Sequence, residues 1–341
     1  MARAPAARSG GLIARAARGP WAGGLAPLAV LAVLVFALMA WLVPDGRFLR
    51  PYTFESLAFT APELGLLSVA MMTAMLTGGI DLSVIGIANL GGILAGLFFH
   101  ALGGARGPGL AGLSWPVVLA GVGIAVATGL AGGLVNGALI TRARVTPILA
   151  TIGTGQVFTG IALVLTGGPA IVGFPQRWGL IGNGTWLGLA VPLWIFGALA
   201  GIVGVLLART VWGVTLALAG TSERAARFAG LPVGRAVALS YMLTGALAAV
   251  AGVILSARTN AAKSDYGTSY LLQAVLVAVL AGTNPAGGRG SVPAVALALA
   301  SLVMLASGFQ LMRFSSFVVD LIWGAVLLGA IGAGAAWRAW R

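Results

Sequence analysis

The sequence is poor in the side chains on which most enzyme chemistry depends. It contains no cysteine, which excludes disulfides and thiolate metal sites. A single histidine, His100, excludes a metal site made of several histidines, and a Ser-His-Asp triad would have to use that one residue. The only lysine, Lys263, lacks the flanking glycines of a Walker-type phosphate loop. The chain therefore carries no ATPase of that type.

Charged residues are also scarce, and this scarcity indicates whether water or lipid surrounds the folded chain. Only 8% of the 341 residues are charged and 59% are hydrophobic, whereas roughly 25% are charged in a soluble domain. So few charges cannot cover the surface of a soluble fold of this length, but a lipid-facing surface is apolar. The 53 glycines also suit helices that pack closely in lipid. We therefore predict an all-α, polytopic membrane protein.

Long apolar runs predict about ten transmembrane helices. A spanning helix needs about 20 apolar residues. The first run is long enough to span, so we interpret it as an uncleaved helix rather than a signal peptide. The ten predicted spans are residues 25–43, 59–77, 82–100, 115–137, 147–166, 187–208, 236–256, 270–282, 291–309 and 316–336.

The net charge of +13 comes mainly from arginines that lie between the apolar runs. This placement is typical of residues that set membrane topology and does not indicate a nucleic-acid partner. The positive-inside rule then predicts that both termini are cytoplasmic. The predicted organisation is a basic cytoplasmic tail at 1–20, one transmembrane domain at 21–337 with a cytoplasmic loop at 209–235, and a cytoplasmic tail at 338–341.

A turn is required between the second and third spans. A continuous helix over residues 64–99 would be about 54 Å long, whereas the bilayer core measures about 30 Å. The sequence Gly-Gly-Ile-Asp-Leu-Ser at 78–83 is the only plausible turn. Asp81 or Ser83 could cap the next helix. Alternatively, Asp81 could contact a substrate path or a partner at membrane depth.

The longest predicted cytoplasmic loop contains a short, capped helix. Thr221 or Ser222 can act as the N-cap, and Glu223 suits the first turn. Arg227 follows Glu223 by four residues, which is a favourable helical pair, and Gly230 ends the segment. The segment is either a solvated connector lying on the membrane or a docking helix for a soluble partner.

Two further features are a glycine-rich run with one arginine and a set of uncharged amides within the predicted spans. The glycine-rich run at 282–291 could form a backbone nest for an anion or a tight turn between closely packed helices. Uncharged amides within the spans could bind a hydroxyl-rich solute or join neighbouring helices. These amides are Asn89, Asn136, Gln156 and Gln273. Of the seven acidic residues, all but Asp81 and Asp320 fall in or beside predicted loops, so the case for a proton-coupled carrier is weak.

Several segments, taken in order, resemble the permease subunits of ribose-type ABC sugar importers, a family of inner-membrane components of binding-protein-dependent transport systems. Residues 78–83 resemble the family signature GGIDLS, and residues 223–230 are similar to its cytoplasmic coupling element. The other matching segments are 132–137, 145–154, 165–168, 281–283 and 287–291. The resemblance covers about residues 60–331.

The resemblance implies a partner for each step of import. These partners are a second permease subunit, identical or related, a cytoplasmic ATPase that holds ATP and Mg²⁺, and an external sugar-binding protein. This chain would hold no cofactor and have no catalytic residues. The implied ATPase-coupling residues are Glu223, Arg224, Ala225, Ala226, Arg227 and Gly230. The implied motif residues are Gly78, Gly79, Asp81, Ser83, Asn136, Gly137, Gly287, Gly288, Arg289, Gly290 and Ser291. Candidate path residues are Asn89, Gln156 and Gln273.

The sequence departs from the family pattern at Arg224, where alanine is common, and at Val84-Ile85-Gly86, where a glycine often follows sooner. The expected function is import of a monosaccharide or related polyol across the cell membrane. A nucleoside, an autoinducer or a branched-chain amino acid is an alternative solute. An ion-coupled secondary transporter and a membrane enzyme or assembly factor are alternative classes.

Overall fold

A computed structural model describes residues 25–103 and 112–339; the predicted basic tail 1–20 lies outside these ranges. The described chain is predominantly helical, which confirms the predicted fold class. The helices are α1 (Leu25–Leu42), α2 (Pro51–Leu76), α3 (Val84–Gly103), α4 (Trp115–Thr141), α5 (Pro147–Thr166), α6 (Gln176–Asn183), α7 (Val191–Arg209), α8 (Val211–Thr221), α9 (Glu223–Phe228), α10 (Val233–Thr259), α11 (Thr268–Leu280), α12 (Val292–Leu311) and α13 (Ser316–Ala339). A 3-10 helix at Pro44–Leu49 joins α1 to α2.

Eight of the described helices are long and apolar enough to cross a membrane: α1, α2, α3, α4, α5, α7, α10 and α12. The predicted span 147–166 coincides with α5, which lies between a proline at its first position and Gly167 in the left-handed conformation. The other two predicted spans fall on α11 and α13, which are not among the eight. The total of ten crossings and the orientation of the termini therefore stay predictions.

In the described ranges, four strands of two residues each form small antiparallel pairs. Strand β1 (Ile171–Val172) pairs with β4 (Ala261–Ala262), and β2 (Thr185–Trp186) pairs with β3 (Leu189–Ala190). Helix α6 lies against the C-terminal end of α10, where the Asn183 side chain donates to the Ala257 carbonyl at 3.1 Å. The pairing of β1 with β4 thus fixes two non-helical segments at the same end of the bundle.

Close approach of α4 and α10 forms the centre of the bundle. Three glycines of α4, spaced four residues apart, face the backbone of α10. A Cβ atom on Gly129 would lie 2.2 Å from the Gly245 carbonyl oxygen, and one on Gly133 would lie 2.1 Å from the Tyr241 carbonyl oxygen. Gly137 faces Ala238 in the same way. Small residues at this spacing let two helical backbones approach closely in lipid.

The predicted short span 270–282 falls on α11, a half-length helix that follows an extended segment. Helix α11 has only 13 residues, about 20 Å, and cannot cross a bilayer alone. The non-helical residues 260–267 precede it and enter the bundle, because the buried Asn89 amide donates to the carbonyls of Ser264 and Tyr266, both at 2.9 Å. Non-helical backbone at membrane depth occurs where protein or a cavity surrounds it. The predicted helix at this position is observed, and its crossing of the membrane stays a prediction.

The two ends of the bundle differ in what they carry. We define the connector as residues 210–232, which contain α8 and α9, and the connector end as the end of the bundle where it lies. The C-terminal end of α2 and the segment 281–291 meet the connector there, since the Gly288 amide donates to the Leu76 carbonyl at 3.0 Å. The opposite end carries α6 and the pair formed by β1 and β4.

Candidate functional site

The connector contains the short capped helix that the sequence predicts. The Ser222 hydroxyl accepts a hydrogen bond from the Ala225 amide at 3.2 Å, which identifies Ser222 as the N-cap of α9. Arg227 forms an ion pair with Glu223 at 2.6 Å. Because both side chains are mostly exposed, this pair contributes only about 0.3–0.5 kcal/mol. Gly230 adopts φ +75° after the helix, a conformation that favours glycine.

The outward face of α9 combines an aromatic ring with basic side chains. Phe228 is 81% exposed, and the Arg224 guanidinium lies 5.8 Å from the centre of its ring. On the other face, Ala226 is buried in a small cluster with Ala219 and Val233. Sequence reasoning missed Phe228, although an aromatic residue at the last position of a polar surface helix is a visible signal.

The glycine-rich segment 282–291 packs between the connector and α2. A Cβ atom on Gly220 of the connector would lie 2.0 Å from the Leu76 carbonyl oxygen and 2.3 Å from the Gly288 nitrogen. The Asn284 side chain donates to the Gly287 carbonyl at 2.8 Å, so the segment forms a tight turn. Arg289 and Ser291 lie in and after this turn. The predicted tight turn with close packing is observed, and it joins α8 to the end of α2.

Asp81 lies at the centre of a buried polar network. Its Oδ1 accepts from the Ser83 amide at 3.1 Å and from the Ser83 hydroxyl at 2.6 Å. Its Oδ2 accepts from the Thr244 hydroxyl of α10 at 2.6 Å. Asp81 and Ser83 are fully buried and directly precede α3. This arrangement stabilises the turn after α2, and contact of Asp81 with a solute stays a prediction.

The network continues from Ser83 into two further helices. The Asn136 amide of α4 donates to the Ser83 hydroxyl at 2.7 Å, and its oxygen accepts from the Thr154 hydroxyl of α5 at 2.5 Å. Thr151 also donates to the Ile80 carbonyl at 3.0 Å. The side chains of Asp81, Ser83, Asn136 and Thr154 are thus paired with one another or with Thr244, as membrane depth requires. The turn at 77–83 is held by α4, α5 and α10 together.

The three candidate path amides lie in different places. Asn89 is buried and holds the carbonyls of the segment 260–267. Gln156 lies on the exposed face of α5. Gln273 of α11 lines a cavity of about 210 Å³ between α2, α11, α12 and α13. The structure therefore does not bring the three amides together, and of these three only Gln273 lines this cavity.

A buried ion pair joins three helices near this cavity. Glu63 of α2 accepts two hydrogen bonds from Arg258 of α10, at 2.7 and 3.1 Å. Tyr270 of α11 also donates to Glu63, at 3.3 Å. The sequence interpretation placed Glu63 beside a loop, and this is corrected, because Glu63 is buried within α2. Its partner is distant in the sequence, so local patterns could not reveal the pair.

These features define a polytopic membrane protein: spanning helices surround a mostly apolar cavity with several polar groups near one end, and a capped surface helix lies at the other. Residues 53–331 match the family described as branched-chain amino acid transport system / permease component. The chain belongs to this family of permeases.

Its relatives include import permeases from several bacteria. The chain is 32% identical to the autoinducer 2 import system permease protein LsrD of Yersinia enterocolitica, over 90% of this chain and 89% of that protein. The LsrD proteins of Yersinia pseudotuberculosis serotype O:3 and Yersinia pestis strain Pestoides F are 32% and 31% identical over the same shares. The resemblance to ABC importer permeases is thereby confirmed. The chain is a multi-pass permease subunit of an ABC importer in the cell membrane.

Proposed function

We propose that this chain imports a small, neutral, hydroxyl-rich solute, a monosaccharide or a sugar-derived molecule. It acts as one of two permease subunits, receives the solute from an extracytoplasmic binding protein, and is driven by a separate cytoplasmic ATPase. ATP and Mg²⁺ bind to that ATPase and not to this chain. The connector end faces the cytoplasm, together with both termini.

The exposed face of the connector is the main observation that supports a separate ATPase subunit. Its outward face offers the exposed Phe228 ring beside Arg224 and Arg227, and a buried Ala226 anchors the other face. Aromatic and arginine side chains are enriched among the residues that dominate binding between proteins. A helix of this kind, fixed to the bundle but open on one side, suits docking into a groove of a soluble subunit.

A packed route connects this surface with the bundle. The connector reaches Leu76 of α2 through Gly220 and Gly288, where backbone meets backbone without intervening side chains. Backbone contacts of this type leave little room for deformation, so a displacement of α8 moves the end of α2. Helix α2 also carries Glu63 and one wall of the cavity. Closure of an ATPase dimer would thus reach the part of the bundle that faces the solute.

The proposed solute class follows from the uncharged polar groups of the cavity and from the relatives. Hydroxyl and amide groups pair with a neutral polyol without burying a charge. The relatives named above import autoinducer 2, which favours a sugar-like solute. The family description names branched-chain amino acids, and these zwitterions are the alternative that an uptake panel must include.

Purification of the chain with its neighbouring subunits tests the docking role. We expect Phe228→Ala to lower recovery of the ATPase subunit by about tenfold or more, the scale of losing one dominant interface residue. The matched control is Phe317→Ala, because Phe317 is 84% exposed but lies at the opposite end of the bundle. Membrane insertion of both variants should equal that of the parent chain. Equal ATPase recovery with both variants would contradict docking at α9.

Uptake into sealed vesicles tests the energy source. With the binding protein, the second permease and the ATPase present, we expect uptake of a labelled monosaccharide or autoinducer 2 only when ATP is inside with the ATPase. Ionophores that collapse proton and sodium gradients should not change it. Uphill uptake by the chain without any ATPase would instead identify an ion-coupled secondary transporter.

A further inference from the structure

The cavity between α2, α11, α12 and α13 lies toward the end of the bundle opposite the connector. Thr60 is in the N-terminal half of α2, and Ser307 is near the C-terminal end of α12. Ser56 and Gln310, at one side of the cavity, are exposed, whereas Leu276 and Trp323 are buried. The cavity thus opens at Ser56 and Gln310 and closes on an apolar floor.

Beside aliphatic side chains such as Leu302 and Val303, the cavity is lined by uncharged polar groups. They are the side chains of Ser56, Thr60, Tyr270, Gln273, Ser307 and Gln310. Within the described residues, the amides of Gln273 and Gln310 and the hydroxyl of Ser307 form no hydrogen bond with protein. Free amides and hydroxyls at membrane depth are unfavourable against lipid. They therefore face water or a polar solute.

Trp323 provides a second and independent observation. Its side chain is 3% exposed and lines the cavity. The indole N–H has no acceptor among the residues that the structure describes. A buried donor without an acceptor is rare, because the loss of its bond to water is uncompensated. An oxygen atom supplied by a bound molecule would remove this penalty.

The volume of the cavity and the chemistry of its lining residues indicate which kind of ligand fits. A volume of about 210 Å³ is below the range of about 300–1,000 Å³ for drug-sized ligands, so it suits a smaller molecule. None of its described lining residues is charged, which disfavours a zwitterion or a phosphate. Amides and hydroxyls can both donate and accept, and the Trp323 and Leu276 side chains offer apolar surface to C–H groups.

We propose that this cavity is a solute-binding subsite within the permease for a neutral monosaccharide-sized polyol, with Gln273, Ser307 and Gln310 as hydrogen-bonding groups and Trp323 in its floor. The proposal rests on the proposed import function. It deepens that function because it assigns solute recognition to this chain as well as to an external binding protein. The adjacent Tyr270 joins the subsite to the Glu63–Arg258 pair, and so to α2 and α10.

The absence of native cysteine permits a direct test in the assembled complex. Ser307→Cys places one thiol in the cavity, and Ser315→Cys places one on the exposed loop at the same end. The rate of labelling by a small charged methanethiosulfonate is measured with and without ribose or autoinducer 2, whichever the complex transports. We expect the solute to slow labelling at Ser307→Cys by about fivefold or more and to leave Ser315→Cys unchanged.

Two conservative substitutions test the hydrogen bonds. Trp323→Phe removes the indole N–H but keeps a ring, and we expect it to raise the KM for uptake by about 2- to 10-fold, the range for one neutral hydrogen bond. Thr60→Val should act in the same direction. Its matched control is Thr128→Val on α4, because both hydroxyls donate to the carbonyl four residues earlier, at 3.0 and 2.8 Å.

The outcomes separate the two proposals. Solute protection at Ser307→Cys with a raised KM for Trp323→Phe supports the subsite. ATP-driven uptake of the same solute without protection overturns the subsite and leaves the import function standing. Failure of ATP-driven uptake for every neutral solute in the panel overturns the proposed solute class, and the subsite proposal with it.

Discussion

At the scale of single residues, Asp81 distinguishes a structural carboxylate from an ion-coupling one. Its three hydrogen bonds come from uncharged donors on Ser83 and Thr244. In Asp81→Asn, the amide oxygen can still accept from Ser83, and the new NH₂ can donate to the Thr244 hydroxyl, which itself donates to the Tyr241 carbonyl at 2.9 Å. We therefore expect ATP-driven uptake by Asp81→Asn to stay within about threefold of the parent, since each bond keeps a partner.

Asp81→Leu is the disruptive counterpart. It leaves the hydroxyl and the backbone amide of Ser83 without their acceptor, whereas the Thr244 hydroxyl keeps the Tyr241 carbonyl. Each unpaired buried group costs about 1–3 kcal/mol. Recovery of folded protein should fall, whereas Glu55→Leu, at an exposed carboxylate within α2, should not change it. Complete loss of uptake in Asp81→Asn with normal recovery would indicate that the negative charge itself is used, as in an ion-coupled carrier.

The pair of Glu63 and Arg258 is a second residue-scale feature. Glu63→Met leaves Arg258, whose side chain is 24% exposed, without its carboxylate. We expect a loss of about 3 kcal/mol, the lower end for breaking a buried pair, because the arginine is partly solvated. The double variant Glu63→Met, Arg258→Met should recover most of it, since an apolar pair removes both desolvation penalties.

Reversible unfolding in detergent or bicelles measures these differences. Glu55→Met is the control on the same helix, because Glu55 is exposed and its replacement should change stability by less than about 0.5 kcal/mol. A double variant as unstable as Glu63→Met alone would show that Tyr270 or packing, rather than the ion pair, dominates at this position.

At the scale of elements, the contact between the connector and the segment 282–291 should control coupling. Gly288 has φ +86°, and a Cβ atom there would lie 2.4 Å from the Thr221 hydroxyl oxygen. Gly288→Ala should therefore displace the segment and lower solute-stimulated ATP hydrolysis by about 2- to 30-fold, the usual range for altered coupling between sites. Recovery of the complex should be unchanged because the outward face of α9 is intact.

Gly234→Ala is the matched control for this element. Gly234 lies in the first turn of α10 at the same end of the bundle, and no heavy atom lies within 4 Å of its added Cβ. Its stimulated ATPase rate should equal that of the parent chain. Loss of the ATPase subunit itself from the Gly288→Ala complex would contradict a role in transmission and indicate one in assembly.

The same elements show how far the sequence predicts the fold. Apolar runs bounded by proline and glycine locate α5, and the Ser222 cap with its Glu223–Arg227 pair locates α9, because these signals are local. Helix α2 begins before the predicted residue 59, since Thr53 and Glu55 resemble a loop although the helix runs on through them. Other contacts join residues that are distant in the sequence, such as Asn89 with residues 264–266 and Gly220 with Gly288. Neither composition nor local sequence patterns could predict them.

At the scale of the whole molecule, the number of crossings depends on the segment 260–267 with α11. From residue 143 at the connector end, the chain passes through α5, α7, α10, this segment with α11, and α12 before it reaches residue 315. If each crosses the membrane once, residues 143 and 315 lie on opposite sides. If the half-length helix only enters and returns to the same side, the two residues share a side.

Single cysteines in the cysteine-free chain decide between these topologies. We expect a membrane-impermeant thiol reagent to label Ser315→Cys in intact cells, and Ala143→Cys only in inverted vesicles. The ratio of labelling between the two preparations should exceed about tenfold in opposite directions, because a charged reagent does not cross the hydrocarbon core. Labelling of both cysteines from one side would mean that α11 does not complete a crossing.

The interior contacts favour completion: Asn89 holds the start of this segment inside the bundle, while Gly288, just after α11, bonds to Leu76 beside the connector. A chain that enters beside Asn89 and emerges beside Leu76 would cross the rest of the bilayer, so we expect the irregular span to count as a full one.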